Sequence, residues 1–289
     1  MSAPPRLPDW ARKAGPLARG ARGLRVLLRE KSLHTVCEEA RCPNLGECFT
    51  RGTATFMLLG DRCTRRCAYC SVSTARPLPP DPAEPERVAE AARRMDLRYV
   101  VLTSVDRDDL PDGGAGHFAA TVRAVRRALP RAGVEVLTPD FKGDAAALLA
   151  VLEAEPEVFN HNIETVPRLF PGLRPQGRYR RSLDVLAAAK AMRPAQVTKS
   201  GLMVGLGETD EEVALVLADL RGVGVEIVTI GQYLRPTRDH EPVHRYVTPE
   251  AFCALEARAR AIGFPTVYSG VFVRSSFNAE ELYRAGGAR

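Results

Sequence analysis

No stretch of this 289-residue chain approaches the roughly 18 consecutive apolar residues of a membrane-spanning helix. The N-terminus also lacks the apolar core of roughly 7–15 residues that marks a secretory signal. It is rich in arginine and poor in acid, as a transit peptide is, but it holds almost no serine and runs straight into a cysteine motif. A cytoplasmic protein is expected. No internal repeat or long low-complexity segment is present. Gly201–Gly207 matches neither G-x-G-x-x-G nor a P-loop, so close backbone approach or plain turn geometry is expected there rather than phosphate binding. The five histidines, His34, His117, His161, His240 and His244, are scattered, and no pair has metal-site spacing. There is also no separate domain of the oligonucleotide-binding type.

Charge is present but unevenly placed. The net charge is +6, and residues 1–31 carry eight basic against two acidic side chains. The rest of the chain is therefore balanced. A basic arm on a neutral body suggests an acidic partner, or else a solvated and partly disordered arm.

From residue 54 onward, apolar runs alternate with helical spacing. Strands are expected at Thr55–Leu59, Tyr99–Leu102, Val134–Leu137, Val158–Ile163, Val197–Val204 and Val225–Ile230. Helices are expected between them, with a last one over Pro249–Ile262. The strands are rich in Val and Ile and apolar along their length, as parallel strands covered on both faces are. Six such units suggest an α/β fold, a partial (β/α)6 TIM-like barrel over residues 54–262. Residues 1–53 form an N-terminal extension and 263–289 a C-terminal one. Thr103, Asn162, Glu164 and Gln232 gather at the C-terminal ends of strands, where barrels carry their sites. Asn162 and Glu164 alternate on one strand and are expected to point the same way.

Seven cysteines in a cytosolic chain point to metal or redox chemistry rather than disulfides. Six of them form two triplets. Cys63, Cys67 and Cys70 lie in Cys-Thr-Arg-Arg-Cys-Ala-Tyr-Cys, directly after the first expected strand. Three thiolates on one short loop suit three corners of a 4Fe–4S cubane and leave one iron for an external ligand. A structural zinc loop is the alternative, but zinc usually wants four ligands. Cys37, Cys42 and Cys48 follow C-x4-C-x5-C, which alone is compatible with zinc, a cluster or core cysteines. Pro43 and Gly46 suggest a loop around metal rather than a helix. Cys253, on the last helix, reads as a buried small hydrophobe. Asp106, Asp108 and Asp109 around Arg107 read as a salt-bridged or solvated loop rather than a cation site.

The C-x3-C-x2-C triplet, with Tyr69 before its last cysteine, resembles the radical S-adenosylmethionine superfamily. Both triplets together closely resemble lipoyl synthase. The resemblance extends over Pro8-Asp9-Trp10, Cys42-Pro43-Asn44-Leu45-Gly46-Glu47-Cys48, Thr103–Leu110, Phe159–Pro167, Lys199–Glu208 and Gln232–Thr237. Val273-Arg274-Ser275-Ser276-Phe277 is similar to that family's Arg-Ser-Ser-Tyr tail, with Phe in place of Tyr. The resemblance implies a sulfurtransferase with two 4Fe–4S clusters and S-adenosyl-L-methionine as cofactors. Cys63, Cys67 and Cys70 would hold the cluster that cleaves S-adenosylmethionine. Cys37, Cys42 and Cys48 would hold an auxiliary cluster that gives up its sulfide, its fourth iron taken by Ser276 or, failing that, Ser275. Tyr69, Thr103, Asn162, Glu164 and Lys199 are the candidate S-adenosylmethionine contacts. The implied substrate is an octanoyl chain on a lysine of a carrier, the 2-oxoacid dehydrogenase E2 subunit or the glycine cleavage H protein. Sulfur enters at C6 and C8, with a ferredoxin or flavodoxin as electron donor and neither nucleic acid nor membrane as partner. Two other readings stay open: a two-cluster radical enzyme methylthiolating RNA, and a zinc-stapled nucleic-acid-binding protein.

Overall fold

A computed structural model of the chain describes residues 6–12, 19–50 and 54–285. Part of the basic arm, 1–5 and 13–18, lies outside the described residues. The chain divides into two compact units, Ala14–Arg65 with Ser71–Phe159, and Met1–Lys13 with Arg66–Cys70 and Asn160–Arg289. Both are α/β with mainly parallel strands.

The first unit begins with helix α1 (Arg19–Glu30), the short strand β1 (His34–Thr35) and two short helices, α2 (Val36–Glu39) and α3 (Leu45–Thr50). Its main strands are β2 (Thr55–Leu58), β5 (Tyr99–Ser104), β6 (Gly133–Leu137) and β7 (Val158–Asn160), whose last residue already belongs to the second unit. β3 (Arg62–Cys63) and β4 (Ser73–Thr74) form a separate pair. β2 runs parallel to β5, with Thr55 opposite Val101, and β5 runs parallel to β6, with Tyr99 opposite Gly133. β1 caps the edge of β2 in antiparallel sense. Each main strand is buried almost throughout, and helices α4 (Glu84–Arg94), α5 (Ala115–Ala128) and α6 (Ala145–Leu152) pack beside one another. On α5, Phe118, Val122 and Val125 are fully buried at i, i+4 and i+7, the spacing that lines one helix face.

The second unit holds α7 (Phe170–Leu173), α8 (Tyr179–Met192), β8 (Val197–Val204), α9 (Asp210–Gly222), β9 (Ile227–Gln232), α10 (Pro249–Ile262), β10 (Thr266–Gly270) and α11 (Ala279–Ala285). β8, β9 and β10 are parallel, with Ile227 opposite both Lys199 and Thr266. The sequence pattern missed β10, a strand inside the expected C-terminal extension, because its five residues end in Ser-Gly and offer only a short apolar run. It also missed α1, whose Leu24 and Leu28 are buried while Arg22 and Arg29 face outward. The expected strand Val158–Ile163 stops at Asn160, since Glu164 takes a left-handed φ of 68°. Cys253 is exposed, not buried. α10 buries Phe252, Leu255 and Ala259, and Cys253 lies one residue, about 100° of helix rotation, off that stripe.

α9 starts with a reciprocal cap. The Glu212 N–H donates to Thr209 Oγ1 (3.2 Å) and the Thr209 N–H donates to Glu212 Oε2 (2.9 Å). The Glu212 carboxyl is held down at about 2, first by the Arg168 guanidinium and then by the Thr209 N–H. A depressed value means that its contribution is complete above the free value of 4.5 and is lost as the pH falls toward about 2. Thr209→Ala removes one half of the box and is expected to lower stability by about 1 kcal/mol at neutral pH, read as a reduced urea midpoint with an unchanged slope.

Candidate functional site

In the first unit the Cys37 triplet is built from short helices, which corrects the expectation of a plain loop. Cys37 sits in α2, which Thr35 caps by accepting the Glu38 N–H, and Cys48 sits in α3. Pro43 stands ahead of α3, where a missing N–H breaks no helical bond. Backbone bonds from Cys42 N to Cys37 O (3.0 Å) and from Cys48 N to Asn44 O (2.9 Å) fold the segment back on itself. Cys37 is buried, and its thiol is pushed up to about 12, by burial first and then by the neighbouring Cys42 and Cys48 sulfurs, so the three sulfurs share one electrostatic neighbourhood. Thr55, at the start of β2, turns both its N–H and its hydroxyl to the Cys37 sulfur and favours the thiolate. Sequence reasoning missed Thr55.

Cys63 ends β3. Its sulfur accepts the Arg65 N–H (3.4 Å) and lies 4.0 Å from Asp106 Oδ2. Burial, and then the Asp106 charge, raise its thiol. The acidic run is salt-bridged, as expected: Asp106 and Asp108 face Arg65, and Asp109 pairs with Arg107 at 2.8 Å. Thr103, on β5, spends its hydroxyl proton on the Leu137 carbonyl of β6 (2.9 Å).

In the second unit Cys67 and Cys70 share a tight turn, with Cys70 N donating to Cys67 O (3.1 Å). The turn is held by main-chain bonds from Ala68 N to Leu173 O and from Glu241 N to Ala68 O, both 2.9 Å. His240 Nε2 lies 3.0 Å from the Cys70 carbonyl, and His240 Nδ1 lies 2.8 Å from Thr237 Oγ1. His240 is a second functional neighbour that spacing could not reveal. Tyr69 packs on a small core of Leu173, Leu206, Tyr233 and Val243, and Tyr246 of the same core meets Trp10 edge-on at 6.4 Å. Burial, and then the Glu164 charge, push the Tyr69 phenol well above its ordinary value.

Asn162 and Glu164 do meet, though beyond the strand rather than on it. Asn162 Nδ2 donates to Glu164 Oε1 (3.2 Å) and to Ser275 Oγ (3.3 Å), while its Oδ1 is buried without a partner. Gly201 makes room for this amide, since a Cβ there would lie 2.9 Å from Asn162 Oδ1. An unpartnered buried carbonyl oxygen beside a carboxylate is suited to a bound ligand that carries hydrogen-bond donors and positive charge. Lys199 lies on β8 and is fully buried. Gln232 is absorbed by structure: its amide donates to the carbonyls of Val204, Tyr233 and Arg245 and accepts the Val247 N–H. The glycine-rich segment is turn and close-approach geometry, with Gly205 at φ 100°.

The tail crosses β9 where Gly231 admits the Val273 carbonyl, which a Cβ would meet at 2.2 Å. A bond from Phe277 N to Arg274 O (2.9 Å) closes the turn that carries Ser275 and Ser276. Phe277 stacks on Tyr268, with centroids 6.2 Å apart and planes at 8°. Among the described residues no three His, Cys, Asp or Glu side chains gather tightly enough for a single metal ion, and no helix is long and apolar enough to cross a membrane.

Residues 57–220 match the radical SAM superfamily, and residues 2–42 match the N-terminal domain of lipoyl synthase of the radical SAM family. The chain is 56% identical over 274 residues to a lipoyl synthase of Rubrobacter xylanophilus, covering 95% of this chain and 85% of that one. It is 58% identical over 280 residues to a lipoyl synthase of Methylococcus capsulatus, covering 96% and 87%. The chain belongs to the lipoyl synthase family. Lipoyl synthases are radical S-adenosylmethionine sulfurtransferases with two 4Fe–4S clusters. At the level of fold, methylornithine synthase (PylB) is similar with a TM-score of 0.53 at 17% identity, covering 93% of this chain and 87% of that one. HydG, a maturase of the FeFe-hydrogenase, gives 0.56 at 15% identity, covering 96% and 72%. These likenesses agree with the α/β partial barrel.

Since Phe277 is held by its ring, the hydroxyl that the lipoyl synthase tail motif carries there is not needed for packing. Phe277→Tyr is expected to leave stability unchanged. Phe277→Ala is expected to lose at least the ring-pair contribution of about 0.5–1.5 kcal/mol, measured by urea unfolding of both variants.

Proposed function

We propose that the chain inserts sulfur at C6 and C8 of an octanoyl group held on a lysine of a carrier domain, giving the dihydrolipoyl group. The observation that carries this reading is the Asn162 amide, which binds the tail serine Ser275 with the same nitrogen that binds Glu164. The face suited to S-adenosylmethionine and the tail motif of the family thus meet at one side chain.

Unactivated alkyl carbons have no proton that an acid or base of the protein can move. The bound clusters and S-adenosylmethionine supply the carbon radical and the sulfur. The protein's own residues bind and orient. Cys63, Cys67 and Cys70 hold the cluster that serves S-adenosylmethionine, with Tyr69 filling the space behind their turn. Glu164 and the open Asn162 oxygen receive the ammonium and hydroxyl donors of S-adenosylmethionine, and Thr103 and Lys199 are further candidate contacts. Cys37, Cys42 and Cys48 hold the auxiliary cluster, with Thr55 favouring the Cys37 thiolate. For the fourth ligand, motif position favours Ser276. Ser275, whose hydroxyl accepts from Asn162, is the alternative. The acceptor is a lipoyl domain of a 2-oxoacid dehydrogenase E2 subunit or the glycine cleavage H protein, the electron donor a ferredoxin or flavodoxin, and the setting the cytoplasm.

Anaerobically reconstituted protein should carry about eight irons per chain and convert an octanoyl-lysine peptide to the dithiolated product. Alanine at Cys63, Cys67 or Cys70 should abolish S-adenosylmethionine cleavage. Alanine at Cys37, Cys42 or Cys48 should leave cleavage in place and remove the sulfur product. Ser276→Ala should behave like the second group and Ser275→Ala should keep most product; the reverse result moves the ligand to Ser275. A single four-iron cluster, or cleavage without any sulfur transfer by the intact chain, would refute the reading.

A further inference from the structure

Between the first two cysteines of the C-x3-C-x2-C loop stands Arg65, whose side chain is 1% exposed. It donates to both oxygens of Asp108 (2.8 and 2.9 Å) and to Asp140 (2.6 Å), itself fully buried. Asp106 is its third carboxylate, at the longer distance of 3.4 Å. Thr64 stitches the same strip of loop to the segment after β5: its N–H and hydroxyl donate to the Asp106 carbonyl (3.0 and 2.8 Å), and its hydroxyl oxygen accepts the Asp108 N–H (3.0 Å). Lys142 reaches only the Asp108 carbonyl (2.8 Å). One guanidinium therefore faces three carboxylates, and its short bonds go to Asp108 and Asp140. The carboxylate it holds least closely, Asp106, is the one 4.0 Å from Cys63 Sγ.

A thiol at Cys63 tolerates that neighbour by donating its proton. A thiolate bound to iron has no proton to give, so the carboxylate then places negative charge beside the sulfur in a partly buried place, with the Arg65 guanidinium at its other oxygen. Reduction adds one further negative charge to a cluster, and nearby fixed charge and burial set how readily this happens. We propose that Asp106, oriented by Arg65, lowers the reduction potential of the cluster carried by Cys63 and so makes it a stronger one-electron donor to S-adenosylmethionine. Asp106 is a positioning and tuning residue rather than a catalytic one, and its role rests on Cys63 being a cluster ligand.

The test is a reductive titration of the reconstituted full-length protein with dithionite, following the electron paramagnetic resonance signal that changes on adding S-adenosylmethionine. Asp106→Asn should move the midpoint to a more positive potential with iron content unchanged. Asp108→Asn should move it the same way by less, and Glu86→Gln, which removes an equal charge from an exposed pair with Arg127 on the surface of α4, should not move it. A structural role alone alters iron content or stability and leaves the midpoint in place. An Asp106→Asn midpoint equal to wild type, with the S-adenosylmethionine-sensitive signal intact, overturns the inference and leaves the functional reading standing. If Asp106→Asn takes up no iron, Asp108→Asn decides alone, and an unmoved midpoint there overturns the inference. A wild-type protein with no S-adenosylmethionine-sensitive signal overturns both.

Discussion

The buried guanidinium of Arg65 ties the first half of the Cys63 loop to the segment that follows β5. A loop carrying metal ligands has few apolar contacts of its own to fix it, since its side chains must face the metal. Charge-assisted and bidentate bonds supply that fixity from the side away from the metal. The arrangement is demanding, because a buried carboxylate or guanidinium that loses its partner costs several kcal/mol. Asp140, fully buried, pairs with Arg65 and also accepts the Lys142 N–H, and the buried Arg65 answers Asp106, Asp108 and Asp140 together. The geometry around Cys63 therefore holds as a unit or fails as one.

In the second unit the same problem is met by main chain and packing. The turn of Cys67 and Cys70 is fixed by backbone bonds to Leu173 and Glu241 and by Tyr69 set into a small apolar core. The tail is fixed by the stack of Phe277 on Tyr268 and by the close passage of Val273 over Gly231. What these supports have in common is that none of them belongs to a proposed cluster ligand. The ligand side chains are left to the chemistry, and their neighbours carry the folding.

This division explains what could be read in advance. The main strands and helices were legible because parallel strands covered on both faces are apolar throughout and helices keep a 3.6-residue period. The two cysteine triplets were legible because metal ligands on one loop need fixed spacing. Arg65, Thr55 and His240 were not, because each acts on a cysteine through a bond whose partner is set by the fold: Arg65 on Asp106, which sits 41 residues further along the chain, and His240 on Cys70, 170 residues away in sequence. Gln232 was misread for the opposite reason. A polar residue at a strand end looks functional from sequence, yet its four bonds are all to backbone. The Cys37 segment was misread as loop because Pro and Gly dominated the pattern, although a proline just ahead of a helix is compatible with it.

The Cys37 and Cys63 sulfurs are set in different surroundings. Thr55 presents an N–H and a hydroxyl to the Cys37 sulfur, and hydrogen-bond donors stabilise extra negative charge on sulfur. Cys63 receives the N–H groups of Arg65 and Asp106, but beside them stands the Asp106 carboxylate, which resists that charge. The carboxylate is what sets Cys63 apart, since the groups that act most on Cys37 are the Thr55 donors and the two other sulfurs. Thr55 and Asp106 both stand outside the cysteine motifs, so the surroundings of these sulfurs differ without any change in the cysteines themselves.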